Sequence, residues 1–261
     1  MITEKLFEQD SHLQSFTARV LRCEPMEAQW AVVLDRTAFF PEGGGQPADI
    51  GMLGGVQVRD TRDEKERILH IVDKPLVPGT EVEGMVNWSH RFALMQLHSG
   101  EHIVSGLVRQ QYGFDNVGFH MGSEAVTIDF NGELGESDLR TIEMMANGAI
   151  FANLPVEARY PDPESLAAMT FRSKRQIAGA VRVVTIPGYD DCACCGVHVK
   201  RTGEIGLVKL LSSHRYKGGT RVEMVAGHLA LRDYSARHQQ ITEISTALSA
   251  KPLETARAVL R

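Results

Sequence analysis

The sequence predicts an α+β protein: a strand-rich N-terminal unit, a mixed α/β centre and a helical C-terminal segment. Three observations carry this. Short apolar runs separated by turn residues fill the first ninety positions. A long amphipathic helical pattern begins near His90. Strand patterns and one further helix follow, before the chain turns helical again after Gly227. The divisions fall at 1–90, 91–228 and 229–261.

In the first unit, Phe16–Arg22 and Trp30–Asp35 are runs of strand-forming residues on either side of a turn-like CEPMEA. Pro41–Gly51 (PEGGGQPADIG) is too rich in glycine and proline to be anything but loop. Val56–Arg59, Ile68–Val72 and Val82–Trp88 complete a set of short strands, the signature of a small barrel or sandwich. From His90 to Tyr112 apolar residues recur at helical spacing, and Gly113 stands where a helix C-cap belongs. Ala125–Phe130 reads as a strand. Ser137–Asn153 reads as a helix with Ser137 as N-cap. Val156–Tyr160, Val181–Ile186, Ile205–Ser212 and Thr220–Ala226 read as strands, and Leu229–Arg261 as helix with a break near Lys251–Pro252. The chain ends inside that helical pattern without a cap, as it would if a further segment followed.

Hydrophobic content of 43% and charged content of 23% are those of an ordinary soluble globular protein. No apolar run approaches the roughly 18 residues of a membrane-spanning helix. The first residues, MITEKLFEQDSH, lack the basic and apolar regions of a signal peptide, so the expected location is the cytoplasm. Three of the four cysteines (Cys192, Cys194, Cys195) are too close in sequence to bridge one another, which favours metal binding or reactivity over a disulfide framework. The net charge of -5 argues against a simple nucleic-acid binder. Its distribution is uneven: between Phe171 and Arg221 stand Arg172, Lys174, Arg175, Arg182, Lys200, Arg201, Lys209, Arg215, Lys217 and Arg221, against only Asp190, Asp191 and Glu204. That segment is either a phosphate-binding face or a solvated surface.

The residues with chemistry form two pairs. His98 and His102 lie four apart in the predicted helix, so both imidazoles share one face. Cys194 and His198 form a C-x3-H pair before a strand. Two distant pairs of imidazole and thiolate donors are how many zinc sites are assembled, and such donors favour zinc over magnesium or calcium. Cys194 matches the pair spacing better than Cys195. A rival reading is H-x-x-E-H at His98–His102, the inverted zinc-protease motif with Glu101 as base; it leaves Cys194, His198 and the glycine loop without a role.

Four stretches match one family in order: FFPEGGGQPADIG at Phe39–Gly51, the helix around His98 and His102, CCGVHVKRTGEIG at Cys194–Gly206, and KGGTRVEMVAG at Lys217–Gly227. On these, the chain resembles the editing domain of alanyl-tRNA synthetase and its free-standing relatives, the AlaX-type alanyl-tRNA editing proteins. The resemblance implies an N-terminal β-barrel followed by an α/β zinc-containing editing domain. It also implies one zinc per chain on His98, His102, Cys194 and His198, with Gly43–Gln46 beside it. The implied activity is ATP-independent hydrolysis of tRNA(Ala) mischarged with serine, or with glycine in some members. The alternative is a non-catalytic tRNA-binding module with a structural zinc. Val197 stands where the family usually has threonine.

Further candidates follow from what ester hydrolysis needs. Gly43, Gly44 and Gly45 permit close backbone approach to a substrate. Gln46 reaches the terminal ribose or the amino-acid hydroxyl, or is simply a turn residue. Phe119 lines the pocket. His120 is either a proton shuttle or an ordinary packed or exposed histidine. Thr127 is the candidate partner for a serine hydroxyl, since a site built around such a hydrogen bond discriminates strongly.

Overall fold

The computed structural model describes every residue except 1, 66, 123, 174–178 and 261. A short strand β1 (Glu4–Lys5) and a single helical turn α1 (Leu6–Gln9) lead into β2 (Ser15–Met26), β3 (Gln29–Leu34) and β4 (Arg36–Thr37), which pairs with β1. After the 38–50 loop come β5 (Gly51–Leu53), β6 (Val56–Glu64), β7 (Arg67–Val72) and β8 (Glu81–Val86). Six of these strands close into a barrel in the order β2-β3-β7-β6-β5-β8, with β2 also paired to β8. Alternate side chains, among them Val20, Val32, Leu34, Leu53, Val58 and Val72, fill its interior.

His70 is fully buried in this barrel. Its Nδ1 faces Val32 O at 3.1 Å and its Nε2 faces Thr37 Oγ1 at 2.8 Å. Burial pushes its pKa down to about 4 from an ordinary 6.5. The folded state therefore holds a neutral ring that the unfolded chain protonates first. The associated stability is complete above pH 6.5 and is lost as pH falls toward 4. A gap of this size is worth about 3 kcal/mol. Urea unfolding at pH 7 and pH 4.5 should show a drop of that order, most of which a His70→Gln variant should not show.

The second half is organised on α2 (Trp88–Tyr112). Asn87 Oδ1 caps its first turn by accepting from His90 N at 3.2 Å, and Gly113, at φ 73°, closes its end by donating to Arg109 O at 2.9 Å. Then follow β9 (Asn116–Met121), β10 (Val126–Phe130), α3 (Glu136–Phe151), β11 (Glu157–Arg159), α4 (Pro163–Ala168), β12 (Val183–Ile186) and β13 (Asp190–Ala193). A 3-10 turn at Thr202–Ile205 leads to β14 (Val208–Tyr216), β15 (Gly219–Ala226), α5 (Gly227–Ala247), a second 3-10 turn at Pro252–Glu254 and α6 (Thr255–Val259). One antiparallel sheet runs β14-β15-β10-β9 and another β11-β12-β13. The core joins α2, α3 and the inner face of the four-stranded sheet through Met95, Ile103, Leu107, Ile128, Ile142 and Met224. Among the described residues no helix is long and apolar enough to cross a membrane.

Two local expectations are corrected. Ser137 does not cap α3; Gly135 does, and its N–H donates to Asp138 Oδ2 at 2.8 Å, so the carboxylate one residue beyond the expected cap does the capping. Ile205 belongs to a 3-10 turn, and Gly206 at φ 81° separates it from β14.

The barrel is tied to α2 by a buried ion pair. Arg91 and Asp49 are both fully buried. Arg91 Nε donates to Asp49 Oδ1 and Oδ2 at 3.1 and 3.0 Å, and Nη2 donates to Asp49 Oδ2 and Ala38 O. Asp49 Oδ2 also accepts from Phe40 N at 2.5 Å. One helix thereby fixes both ends of the glycine-rich loop.

Candidate metal centre

His98 and His102 are brought one above the other on the buried face of α2, and the turn after β13 brings Cys194 and His198 against them. One donor atom from each of the four lies within 4.8 Å of every other. Cys194 Sγ is 3.5 Å from His98 Nε2 and 3.4 Å from His198 Nε2. The edge of a tetrahedron built on zinc–nitrogen and zinc–sulfur bonds of about 2.0 and 2.3 Å is about 3.6 Å, so the donor spacing fits a tetrahedral divalent ion. Burial pushes the Cys194 thiol far above its ordinary range and lowers His198 well below its own, helped there by His98 and His102. A cation offsets both effects, because it is what a thiolate and neutral rings bind.

Each imidazole is aimed by a group on its other nitrogen. His98 Nδ1 lies 2.8 Å from Gln46 Oε1, His198 Nδ1 lies 3.1 Å from Ser99 Oγ, and His102 Nδ1 lies 3.0 Å from Asp190 Oδ2. These partners fix the ring orientations and leave Nε2 toward the centre. Asp190 is held in turn by Arg172, whose Nε and Nη2 donate to its two oxygens at 2.6 and 2.7 Å. That pairing keeps the Asp190 carboxyl below the ordinary carboxylate range despite its burial. Arg182 Nη1 donates to Cys194 O and Gly196 O at 3.0 and 2.8 Å, clamping the ligand turn. Gly196 has no room for a side chain, because a Cβ there would collide with the His98 ring.

Asp190→Asn should weaken metal affinity about 10- to 100-fold, as removal of such outer partners does. Competition against a chromophoric chelator measures this. Unchanged affinity would show that Asp190 serves Arg172 alone.

The glycine loop is a tight hairpin over this cluster. Gly43 and Gln46 exchange backbone hydrogen bonds at 3.1 and 3.0 Å, with Gly44 and Gly45 at φ 61° and 87° between them, the twist of a type I′ turn. A Cβ on Gly45 would lie 2.6 Å from the Phe119 ring, and one on Gly44 3.1 Å from Cys195 Sγ. Phe119 stacks on His98 with ring centroids 5.3 Å apart. Gly44, Gly45, Phe119, His98, His102 and Cys194 line a cleft of about 600 Å³.

Three expected roles change. Gln46 is fully buried, and its Oε1 also accepts from Val197 N at 3.2 Å. It holds a ligand ring and the ligand turn rather than reaching into the cleft. His120 and Thr127 are not brought to the site. They face each other on β9 and β10, and strand alternation puts them on the opposite side of the sheet from Phe119, Val126 and Ile128. His120 is exposed there.

The other expectations resolve as follows. Among the described residues no glutamate joins the four-donor group, which Cys194 and His198 complete, so the ligand set of an inverted-protease site is not formed; Glu101 Oε1 accepts from Ser105 Oγ and Asn116 Nδ2 at 2.5 and 2.6 Å. Val197 packs in the core and serves the site through its amide. Cys192 is buried near His102 and Asp190, and Cys195 is exposed beside the loop.

Of the ten basic residues between Phe171 and Arg221, five pair with carboxylates. Arg172 pairs with Asp190, Lys200 with Asp10, Lys209 with Glu143, Arg215 with Glu133 and Arg221 with Asp129. Arg201 donates to Asn153 O, and Lys217 lies over the Tyr216 ring. Lys174 and Arg175 lie outside the described residues. The residues that sequence reading counted only as charges, Asp190, Arg172 and Arg182, are those that buttress the ligands. Ser99 gave no signal beyond its place between the two histidines.

Comparison with known proteins agrees with this layout. Residues 181–223 match the model of the threonyl and alanyl tRNA synthetase second additional domain, and residues 10–90 that of class II (A) tRNA synthetases. The chain is 32% identical to the alanyl-tRNA editing protein AlaX-L of Pyrococcus horikoshii, over 89% of this chain and 62% of that one. It is 30% identical to the alanyl-tRNA editing protein Aarsd1-A of Xenopus laevis, over 97% and 65%. With an alanine–tRNA ligase of Ignicoccus hospitalis the figures are 33%, 96% and 29%. The chain thus spans somewhat less than two thirds of the editing proteins it matches and under a third of the ligase. The resemblance drawn from its motifs stands: by sequence, the chain is a homologue of the alanyl-tRNA editing proteins and of the alanine–tRNA ligases that contain the same segments.

Proposed function

We propose that the chain is a hydrolase that deacylates tRNA(Ala) mischarged with serine, or with glycine, at one zinc ion held by His98, His102, Cys194 and His198. The observation that carries this is the cleft of about 600 Å³ whose lining includes three of those ligands, His98, His102 and Cys194. A purely structural ion would have no need of such an opening. The names of the related editing proteins agree with it. Residues 1–90, 91–228 and 229–261 would then be the barrel, the editing unit and a C-terminal helical segment.

Zinc, when bound, supplies Lewis-acid polarisation of an ester carbonyl or activation of a water. The chain's own residues do the rest. Gln46, Ser99 and Asp190 hold the ligand rings in fixed directions. Gly44 and Gly45 keep the loop free of side chains at the cleft, so substrate can approach the backbone. Phe119 stacks on the His98 ring and lines the cleft with it.

The second reading, a tRNA-binding module with structural zinc, is favoured by the four protein donors, which complete a tetrahedron. Incubation of zinc-loaded protein with Ser-, Gly- and Ala-tRNA(Ala) separates the two. The hydrolase reading expects release of serine or glycine at a rate at least about a hundred-fold above that of alanine, the discrimination a hydroxyl-specific or size-selective site can supply. Binding without release of any amino acid would leave the module.

A further inference from the structure

We infer that Tyr160 is the platform on which the terminal base of the aminoacyl-tRNA stacks while its ester lies at the metal ligands. The inference deepens the proposed function and rests on it for the identity of the ligand. Strand register places the residue. Arg159 of β11 pairs with Val183 of β12, and Val183 pairs with Ala193 of β13, so the three stand in one row across the sheet. The next row at that end is Tyr160, Arg182 and Cys194, and Cys194 N donates to Arg182 O at 3.0 Å. Neighbouring strands lie about 4.8 Å apart, which sets the Tyr160 backbone about 10 Å from that of a metal ligand. All three residues of this row line the cleft.

Exposure separates floor from rim. His98 and His102 are 2% exposed, whereas Tyr160 is 52% and Val117 63% exposed. Phe119 also lines the cleft, but its ring stacks on His98. The Tyr160 ring is held at the rim from both ends. Its hydroxyl donates to Glu8 Oε2 of α1 at 2.9 Å, and Pro161 restricts its backbone to an extended form. Partial burial and the Glu8 carboxylate push its pKa up to about 12, so the hydroxyl stays a neutral donor. A ring fixed in this way gives up little freedom when a base settles on it. In an aminoacyl-tRNA the base and the ester occupy opposite sides of the terminal ribose. With the ester at the buried floor formed by His98, His102 and Cys194, the base comes to the rim.

The test uses the metal-loaded chain and two non-hydrolysable probes: adenosine carrying serine in amide linkage on its ribose, and the same seryl ribose with a methoxyl group in place of the base. Calorimetry on wild type, Tyr160→Phe, Tyr160→Ala and Tyr160→Leu is compared at equal metal content. Wild type should bind the adenosine probe about ten-fold or more tighter than the baseless one. Tyr160→Ala should bring the two within about two-fold by weakening the adenosine probe alone. Tyr160→Phe keeps the ring and should keep a preference of about five-fold or more. Tyr160→Leu keeps apolar bulk without the aromatic face, should behave as Tyr160→Ala, and serves if that variant does not fold. A merely structural link from α1 to β11 would be broken by Tyr160→Phe as much as by Tyr160→Ala, and would shift both probes together. That pattern, preference surviving in both Tyr160→Ala and Tyr160→Leu, absence of preference in wild type, or failure of wild type to bind either probe overturns the inference. Base preference without hydrolysis of Ser-tRNA(Ala) overturns the hydrolase reading instead, and hydrolysis without base preference overturns the inference alone.

Discussion

If the proposed site is right, Cys194→Ala should lose the metal and, with it, the proposed ester hydrolysis. Four-ligand zinc sites bind with apparent free energies of about 10–16 kcal/mol, or roughly 3–4 kcal/mol per ligand. Loss of one ligand therefore weakens binding by on the order of a hundred- to a thousand-fold. The local consequences reach further than the missing bond. His98 and His198 lose the sulfur that sits 3.5 and 3.4 Å from their Nε2 atoms, and the rings then face each other with ring centroids 4.4 Å apart and no anion between them. Gly196 N loses its acceptor at 3.3 Å as well. Metal stoichiometry after gel filtration in dilute chelator, together with deacylation of Ser-tRNA(Ala), measures both effects. Full metal content with undiminished hydrolysis in the variant would sink the four-ligand site.

The largest effect on stability is expected from Asp49→Ala. It leaves the Arg91 guanidinium fully buried without its carboxylate, and breaking a buried pair from one side costs about 3–5 kcal/mol. A protein of ordinary stability, about 5–15 kcal/mol, has little margin for such a loss. The damage also has a direction. Asp49 pins Phe40 N, and Arg91 pins Ala38 O, so the segment between them, which includes Gly43–Gln46, loses its anchor. Gln46 would then hold His98 less firmly, and metal affinity should fall together with stability. Urea unfolding of the metal-loaded and chelated forms checks both. Replacement of both partners, Asp49→Leu with Arg91→Met, should recover part of the stability, because no charge is left stranded. A loss below about 1 kcal/mol in Asp49→Ala would mean that water reaches Arg91.

What the sequence by itself determined is what local spacing determines. The i, i+4 placement of His98 and His102 within an amphipathic pattern is enough to put both rings on one buried face of a helix. Cys194 and His198 lie close enough along the chain to converge whatever surrounds them. Glycines at 43–45 are enough to specify a turn with positive φ, and alternating apolar runs are enough to mark the strands of the first ninety residues.

Only the tertiary structure decided the rest, because the remaining relations join residues far apart in sequence. Spacing left barrel and sandwich open; closure depends on β2 pairing with both β3 and β8. Gln46 became a holder of His98 because residues 52 positions apart pack together in the core. His120 and Thr127 went to the far side of the sheet because Phe119 and Ile128 went to the near side, and adjacent strand residues cannot share a face. Four of the ten basic residues in that segment pair with acids at positions 10, 129, 133 and 143, which no reading of that segment alone contains. Periodicity tells which way a side chain points within its own element; what it meets there is set by the elements that pack against it.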